Sequence, residues 1–192
     1  MLGLRSNEER RLRLMARLAG TGALLDVGFA QLPNPYLRGS PVVGLDLVPP
    51  PPTPPYDETL AGDATDLAAT LGDRTFDSVL AGEIVEHVED PYRFVRGCRD
   101  RLRPGGRLVL STPNPLHAPV LACELLGVKR LFYTDEHRHY LLPRWVDRIL
   151  TSSGLTPVSR HGVGFPLLVG SRPAIPAPPA VSYQIVYVAE RR

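Results

Sequence analysis

At 192 residues, with 43% hydrophobic and 22% charged side chains, the chain has the composition of an ordinary globular protein. It is long enough to bury one sizeable core, and a single domain over residues 1–192 is its simplest organisation. A net charge of +2, with scattered basic residues, excludes the electrostatic footprint of a duplex-binding protein, and no stretch approaches the ~20 apolar residues of a membrane-spanning helix.

Cys98 and Cys123 stand far apart and form no C-x-x-C pair, so neither a disulfide framework nor a zinc knuckle is expected. The first residues are charged and lack an apolar signal core. The expected location is therefore the cytoplasm, and no membrane partner is expected.

In chain order, the pattern predicts a helix over residues 6–19. Ser6 is its N-cap and Glu9 lies three positions on. Leu12, Met15, Leu18 and Ala19 share one face, and Arg10, Arg13 and Arg17 another, which reads as an amphipathic lid with solvated arginines. Residues 24–27 and 41–47 read as buried parallel strands. The connection between them carries Pro33 and Pro35 and is too short for a full crossover helix, so one or two helical turns are expected over 34–38. The proline run over 48–55 is a stiff spacer within the domain. A third strand over 59–61, a helix to Leu71 capped by Thr65 or Asp66, and a fourth strand over 76–80 follow. Residues 83–87 are predicted as a short helix, and Asp90-Pro91 opens another that runs to about Leu102. Arg103-Pro104-Gly105-Gly106 is expected to stop that helix, before a fifth strand over 107–112. Helices are predicted over 121–126 and 143–153, and residues 155–161 and 181–189 as a closing antiparallel pair. The proline-rich stretch 165–180 is expected to be a mobile surface excursion. Alternating strands and helices with a terminal strand pair argue for an α/β, doubly wound, mostly parallel sheet with an antiparallel edge.

Three segments then resemble a known family. Phe76-Asp77-Ser78-Val79-Leu80-Ala81-Gly82-Glu83-Ile84-Val85-Glu86-His87-Val88-Glu89-Asp90-Pro91 is similar to the fourth-strand segment of class I S-adenosylmethionine (SAM)-dependent methyltransferases of the small-molecule branch. Leu102 to Asn114 resembles their following loop and fifth strand, and Glu136-His137-Arg138-His139-Tyr140 their substrate-side loop. The resemblance covers roughly Leu24 to the C-terminus. It implies a seven-stranded Rossmann-like sheet in the order 3-2-1-4-5-7-6, SAM as cofactor, and a small-molecule acceptor, with O-methylation preferred.

It also implies a set of cofactor contacts. Asp26 and Gly28, with Phe29 and Ala30 beside them, would lie at the methionine end. Asp46, twenty residues after Asp26, and Leu47 would lie at the ribose diol, as an acid ending the second strand does. Asp63 and Ala64 would meet the adenine, and Gly82 the sulfonium. The first loop departs from the family's acid-x-G-x-G-x-G, because Ala30 and Leu32 stand at the second and third glycines. The tail of the cofactor then needs contacts from the loop over 31–37, with Asn34 and Tyr36 as candidates. The same departure rules against a dinucleotide fingerprint.

On a helical turn, Glu83, Glu86 and His87 would share one face at i, i+3 and i+4. With His137 they could hold Mg²⁺ or Mn²⁺ against an acceptor oxygen, as in the metal-dependent O-methyltransferases they resemble. Without a metal, Glu83 and Glu86 would cap or solvate the helix, and His87, His137 or His139 would serve as general base. His117 and His161 read as incidental, and Tyr140 and Trp145 as packing residues. Two rival functions remain open at this stage: a catalytically silent methyltransferase-like binding domain, and a metal-dependent RNA terminal 2′-O-methyltransferase, which the low charge disfavours. The acceptor pocket is expected from the N-terminal helix and from residues 115–140.

Overall fold

The computed structural model describes residues 6–127, 136–166 and 174–192. Helix α1 (Asn7–Ala19) starts where predicted, with the Ser6 Oγ accepting from the Glu9 amide at 3.1 Å. Strands β1 (Leu24–Val27), β2 (Val42–Asp46) and β3 (Glu58–Ala61) follow. A single 3₁₀ turn (Ala64–Asp66) leads into helix α2 (Leu67–Leu71), where the Asp66 side chain caps the Ala69 amide. Strand β4 (Phe76–Gly82), helix α3 (Pro91–Asp100), strand β5 (Leu102–Pro113), and helices α4 (Ala118–Leu125) and α5 (Pro143–Ser152) come next. The chain closes with β6 (Thr156–Gly162), β7 (Phe165–Pro166), β8 (Ala174–Ile175) and β9 (Gln184–Glu190).

The main sheet runs β3-β2-β1-β4-β5-β9-β6. The first five are mutually parallel, and β9 is antiparallel to both β5 and β6. This is the order the resemblance implied, with β9 as the seventh main strand. Alternation along β1 sends Leu25 and Val27 to one face, among Phe94 and Ile149 from α3 and α5. Leu24 points to the other face, among Met15 and Ala16 of α1. Asp26, two residues on from Leu24, shares the α1 face.

Three predicted elements are corrected. No helix forms over 34–38. Pro33 and Pro35 remove amide donors, the Asn34 Oδ1 takes the Tyr36 amide at 3.1 Å, and the Asn34 amide goes to the Tyr56 hydroxyl at 2.8 Å. Two rings fill the space where a crossover helix would lie. Phe29 and Tyr56 have centroids 4.5 Å apart, and Gly44 makes room, since a Cβ there would stand 2.5 Å from the Phe29 ring. No helix forms over 83–87 either. Arg103 to Gly106 do not end α3 in a separate turn but belong to β5, as an irregular stretch where the pairing register with β4 shifts between Phe76 and Ser78. In the stretch 165–180, Phe165–Pro166 and Ala174–Ile175 pair as a small antiparallel sheet instead of forming an unpatterned excursion, and residues 167–173 lie outside the described residues.

Gly44→Ala would push the Phe29 ring off the sheet, and such overpacking costs roughly 1–3 kcal/mol. The expected result is a lower urea midpoint, and an unchanged midpoint would contradict this packing.

Candidate functional site

The carboxyl ends of β1, β2 and β4 open onto two cavities, of about 340 and 370 Å³, and Gly28 lines both. Its φ of +74° needs a glycine, and a Cβ would lie 2.7 Å from the Ile84 Cδ1. Ala30 needs no glycine, because Glu83 is the one non-glycine residue with positive φ among the described residues.

The first cavity lies between β1 and α1 and is lined by Asp26, Asn34, Arg11, Met15, Gly82 and Glu83, among others. Asp26 is buried, and its Oδ2 accepts from the Tyr56 hydroxyl at 2.7 Å. Burial pushes its carboxyl up to about 6, against the Tyr56 hydrogen bond and the Arg11 charge, which favour the anion, while the nearby Asp46 charge opposes it. The Asn34 amide donates to the same Tyr56 oxygen, and the Asn34 Nδ2 donates to the Leu12 carbonyl at 3.0 Å. Arg11, on α1, is only 6% exposed, and its Nε has no hydrogen-bond partner among the described residues. Its Nη1 reaches the Ser111 Oγ at 3.4 Å. Ser111 in turn donates to the Glu83 Oε1 at 2.8 Å, and the Gln184 Nε2 donates to the Glu83 Oε2 at 2.7 Å. One wall of the cavity therefore offers a guanidinium, and two carboxylates stand with it.

The second cavity is lined by Asp46, Leu47, Asp63, Ala64, His87 and Arg138, among others. The Asp46 Oδ2 accepts the Ala30 amide at 2.9 Å. The Asp63 Oδ1 accepts from the Thr65 amide and hydroxyl at 2.7 and 2.8 Å, and these bonds hold its pKa below the usual carboxylate range.

Of the residues predicted for the cofactor, all but Ala30 line one or other of the two cavities; Ala30 lines neither and gives its amide to Asp46. Phe29 differs in how it contributes: its ring is turned into the core against Tyr56. Of the two loop candidates, Asn34 lines the first cavity, whereas the Tyr36 ring lies under the Arg13 guanidinium, 4.0 Å from its centroid, and does not line either cavity.

The predicted metal set is divided. Glu83 adopts φ 56°, a left-handed conformation that costs about 1–3 kcal/mol and breaks the expected helix. Its carboxylate turns to Ser111 and Gln184. The Glu86 carbonyl, which a continuing helix would need, accepts the Arg138 and His139 amides at 2.9 and 3.1 Å. Among the described residues, Glu86, His87 and His137 still offer ligand atoms within 4.8 Å of one another. Glu86 is 1% exposed, and the Thr112 hydroxyl and its own amide are the groups near enough to favour its anion by hydrogen bonding. Burial first, and then the Glu83 charge, raise its pKa well above the ordinary value. Burial and the neighbouring His87 lower that of His137. The His87 Nδ1 lies 3.1 Å from the Glu136 carbonyl oxygen, which can only accept. Nδ1 therefore carries the proton, and neutral His87 keeps Nε2 as an acceptor. The His139 Nε2 donates to the Val88 carbonyl at 3.0 Å, and His139 lines neither cavity.

The other expectations divide as well. His117 is buried, with Nδ1 against the Val181 carbonyl, a structural position. Trp145 and Tyr140 are exposed instead of packed, because Val146, Ile149 and Leu150 form the inward face of α5. Sequence reasoning missed Arg11 and Tyr56. The only signal for Arg11 was its place beside Leu12 and Met15, off the Arg10, Arg13 and Arg17 face.

Asp26 generates a pH prediction. Its folded pKa of about 6 lies above the ordinary 3.8, so the folded state holds the extra proton between these values. Its contribution is therefore full below the lower value and is lost as pH rises through the upper one. Asp26→Asn should stabilise the ligand-free protein at pH 7.5, on the order of 1–3 kcal/mol, and flatten this fall. Urea midpoints at pH 5 and 7.5 would check it; a variant with the wild-type pH dependence would contradict it.

Comparison with known proteins adds the family. Residues 25–110 match the family model described as methyltransferase domain. A ubiquinone biosynthesis O-methyltransferase of Dinoroseobacter shibae is 31% identical over 156 residues, covering 79% of this chain and 57% of that protein. One of Cereibacter sphaeroides is 32% identical over 158 residues, covering 74% and 63%. The chain therefore spans less than two thirds of the length of these relatives. The N-methyltransferase NodS of Bradyrhizobium japonicum WM9, solved with S-adenosyl-L-homocysteine, superposes with a TM-score of 0.62 at 18% identity, over 99% of this chain and 90% of that one. A putative methyltransferase of Bacillus halodurans gives 0.65 at 15% identity, over 96% and 98%. By its strand order and these superpositions the chain has the Rossmann-like fold of class I methyltransferases, and its residues 25–110 carry the match to the methyltransferase domain.

Proposed function

We propose that the protein binds SAM across the two cavities and methylates a hydroxyl group of a small molecule. The observation that carries this reading is the first cavity. A buried guanidinium, its Nε unpartnered among the described residues, stands there with two carboxylates, which is the donor set for an α-amino acid end. The second cavity complements it, with Asp46 placed for a ribose diol and Asp63 and Ala64 for an adenine. Both cavities fall in the size range of ligand sites. The names of the relatives support an oxygen acceptor and a small molecule.

When bound, SAM supplies a methyl group on a sulfonium, poised for in-line displacement. The chain's own residues have three tasks. Arg11 holds the carboxylate and Asp26 the ammonium. Asp46 accepts from the ribose. Phe29, Met15 and Leu80 exclude water from the first cavity. For a hydroxyl acceptor a base is needed, and His87, with Nε2 free to accept while neutral, is the histidine that also lines a cavity.

The Glu86, His87 and His137 cluster favours an alternative to His87 as base, in which its one Nε2 lone pair would ligate a divalent ion that activates the hydroxyl instead. The buried carboxylate of Glu86 and two imidazoles form a donor set suited to Mn²⁺ or another divalent ion that accepts nitrogen, more than to Mg²⁺. Glu86 must lose its raised proton to ligate, so affinity should rise with pH.

Titration calorimetry with S-adenosylhomocysteine tests the main reading. One-to-one binding is expected, weakened about tenfold or more by Arg11→Met, which removes a charge-assisted bond. No binding at millimolar ligand would sink it. For the cluster, Mn²⁺ titration followed by electron paramagnetic resonance should show one bound ion, lost in His137→Ala; a spectrum of free Mn²⁺ only would remove the metal from the proposal.

A further inference from the structure

We propose that Tyr56, delivered by the proline-rich segment, is a positioning residue for the amino-acid end of the cofactor, and does for this chain what the second and third loop glycines do in the methyltransferases it resembles. The inference rests on the reading that the first cavity takes that end of SAM.

The geometry runs through one oxygen. The Tyr56 hydroxyl donates to the Asp26 Oδ2 at 2.7 Å and accepts from the Asn34 amide at 2.8 Å. Asn34 then donates its side-chain amide to the Leu12 carbonyl of α1 at 3.0 Å. The end of β1, the loop after it and the helix over the cavity are thus joined in one chain of bonds. Tyr56 is itself buried, with its ring against Phe29. A phenol can serve as donor and acceptor at once; phenylalanine can do neither.

This arrangement changes how a ligand tail is recognised. A glycine-rich loop lets backbone come close to its ligand. Here the Asn34 amide is given to Tyr56, between two prolines that have no amide hydrogen to offer. The Asn34 amide is therefore not available to the tail, and Arg11 and Asp26 offer it side-chain groups in the same cavity. Asp26 can receive an ammonium only as the anion. Among the described residues, the groups that bear on it are Tyr56, Arg11 and Asp46, and Glu83 lines the same cavity. Tyr56 is the only one that donates a hydrogen bond to its carboxylate. Without that bond, the anion in its buried position loses ground to the neutral acid.

Two nucleosides separate positioning from mere structure. S-adenosylhomocysteine carries the amino-acid end, whereas 5′-methylthioadenosine has only the adenosine and thioether part. Calorimetry on the wild type and Tyr56→Phe should show S-adenosylhomocysteine weakened about tenfold near neutral pH, with methylthioadenosine unchanged within about twofold. The pH below which S-adenosylhomocysteine binding declines should move upward in the variant. In an Asp26→Asn background, Tyr56→Phe should lose most of its effect on S-adenosylhomocysteine, keeping only what passes through Asn34; a full tenfold further loss overturns the proposal. Equal weakening of both nucleosides, or of neither, overturns the proposal. If the wild type binds neither nucleoside, the functional reading falls, and the inference falls with it as a statement about the cofactor. The tie itself is read independently from the ¹³C titration of the Asp26 carboxyl in ligand-free protein, where an equal midpoint in wild type and variant overturns it. If Tyr56→Phe does not fold, the wild type still decides: S-adenosylhomocysteine affinity that is flat from about pH 5 to 8, with Asp26 titrating as an ordinary carboxylate, overturns it.

Discussion

A carboxylate at the end of a fully buried strand must find hydrogen-bond donors or give up its charge. Asp26 is in that position, and much of the local architecture follows from how it is satisfied. Its donor comes from Tyr56, some thirty residues on, which requires the chain to pass beyond β2 and return. The return brings the Tyr56 ring against Phe29, whose own ring lies over Gly44, and the two cover a part of the sheet left bare by a connection too short for a helix. The same hydroxyl holds Asn34, and Asn34 holds α1. One hydrogen-bonded oxygen therefore sets the depth of the cavity, the course of the loop and the seat of the lid helix together.

The opposite wall follows a related rule. Glu83 accepts a strained backbone conformation and in exchange its carboxylate receives two donors, from Ser111 and Gln184. Backbone strain of this kind persists where the surroundings over-determine it, and it gathers at functional sites. Arg11 lies beside this pair with its Nε unsatisfied. One cavity thus holds a carboxylate with two donors, a buried carboxyl whose acidity burial weakens, and a guanidinium with one unsatisfied nitrogen among the described residues.

How much of this could be read from the sequence follows the range of the interactions. The strands were legible, because β1, β2 and β4 are short apolar runs between turn formers, and the strand order followed from the family resemblance. Asp46 and Asp63 were legible for the same reason: an acid at the end of a strand is a local feature. The helix expected over 83–87 failed because its first residue is held by partners 28 and 101 positions away, which outweigh local preference. Tyr56 was hidden because it precedes a strand and carries no motif, and its role exists only once β2 brings it to Asp26. Arg11 was hidden by company, being one of several arginines on a helix, of which Arg13 and Arg17 are exposed.

The proline run before Tyr56 has one more effect. β3 is an edge strand, with one side unpaired in the sheet. The Thr59 hydroxyl on that strand donates to the Pro50 carbonyl at 2.8 Å, which lays the run beside the edge. Prolines at 49–52, 54 and 55 have no amide hydrogens, so the covering segment cannot itself act as a template for a further strand. The stretch that supplies the cavity with its tyrosine also shields the end of the sheet, and with it the tendency of an open edge to recruit strands from other copies of the chain.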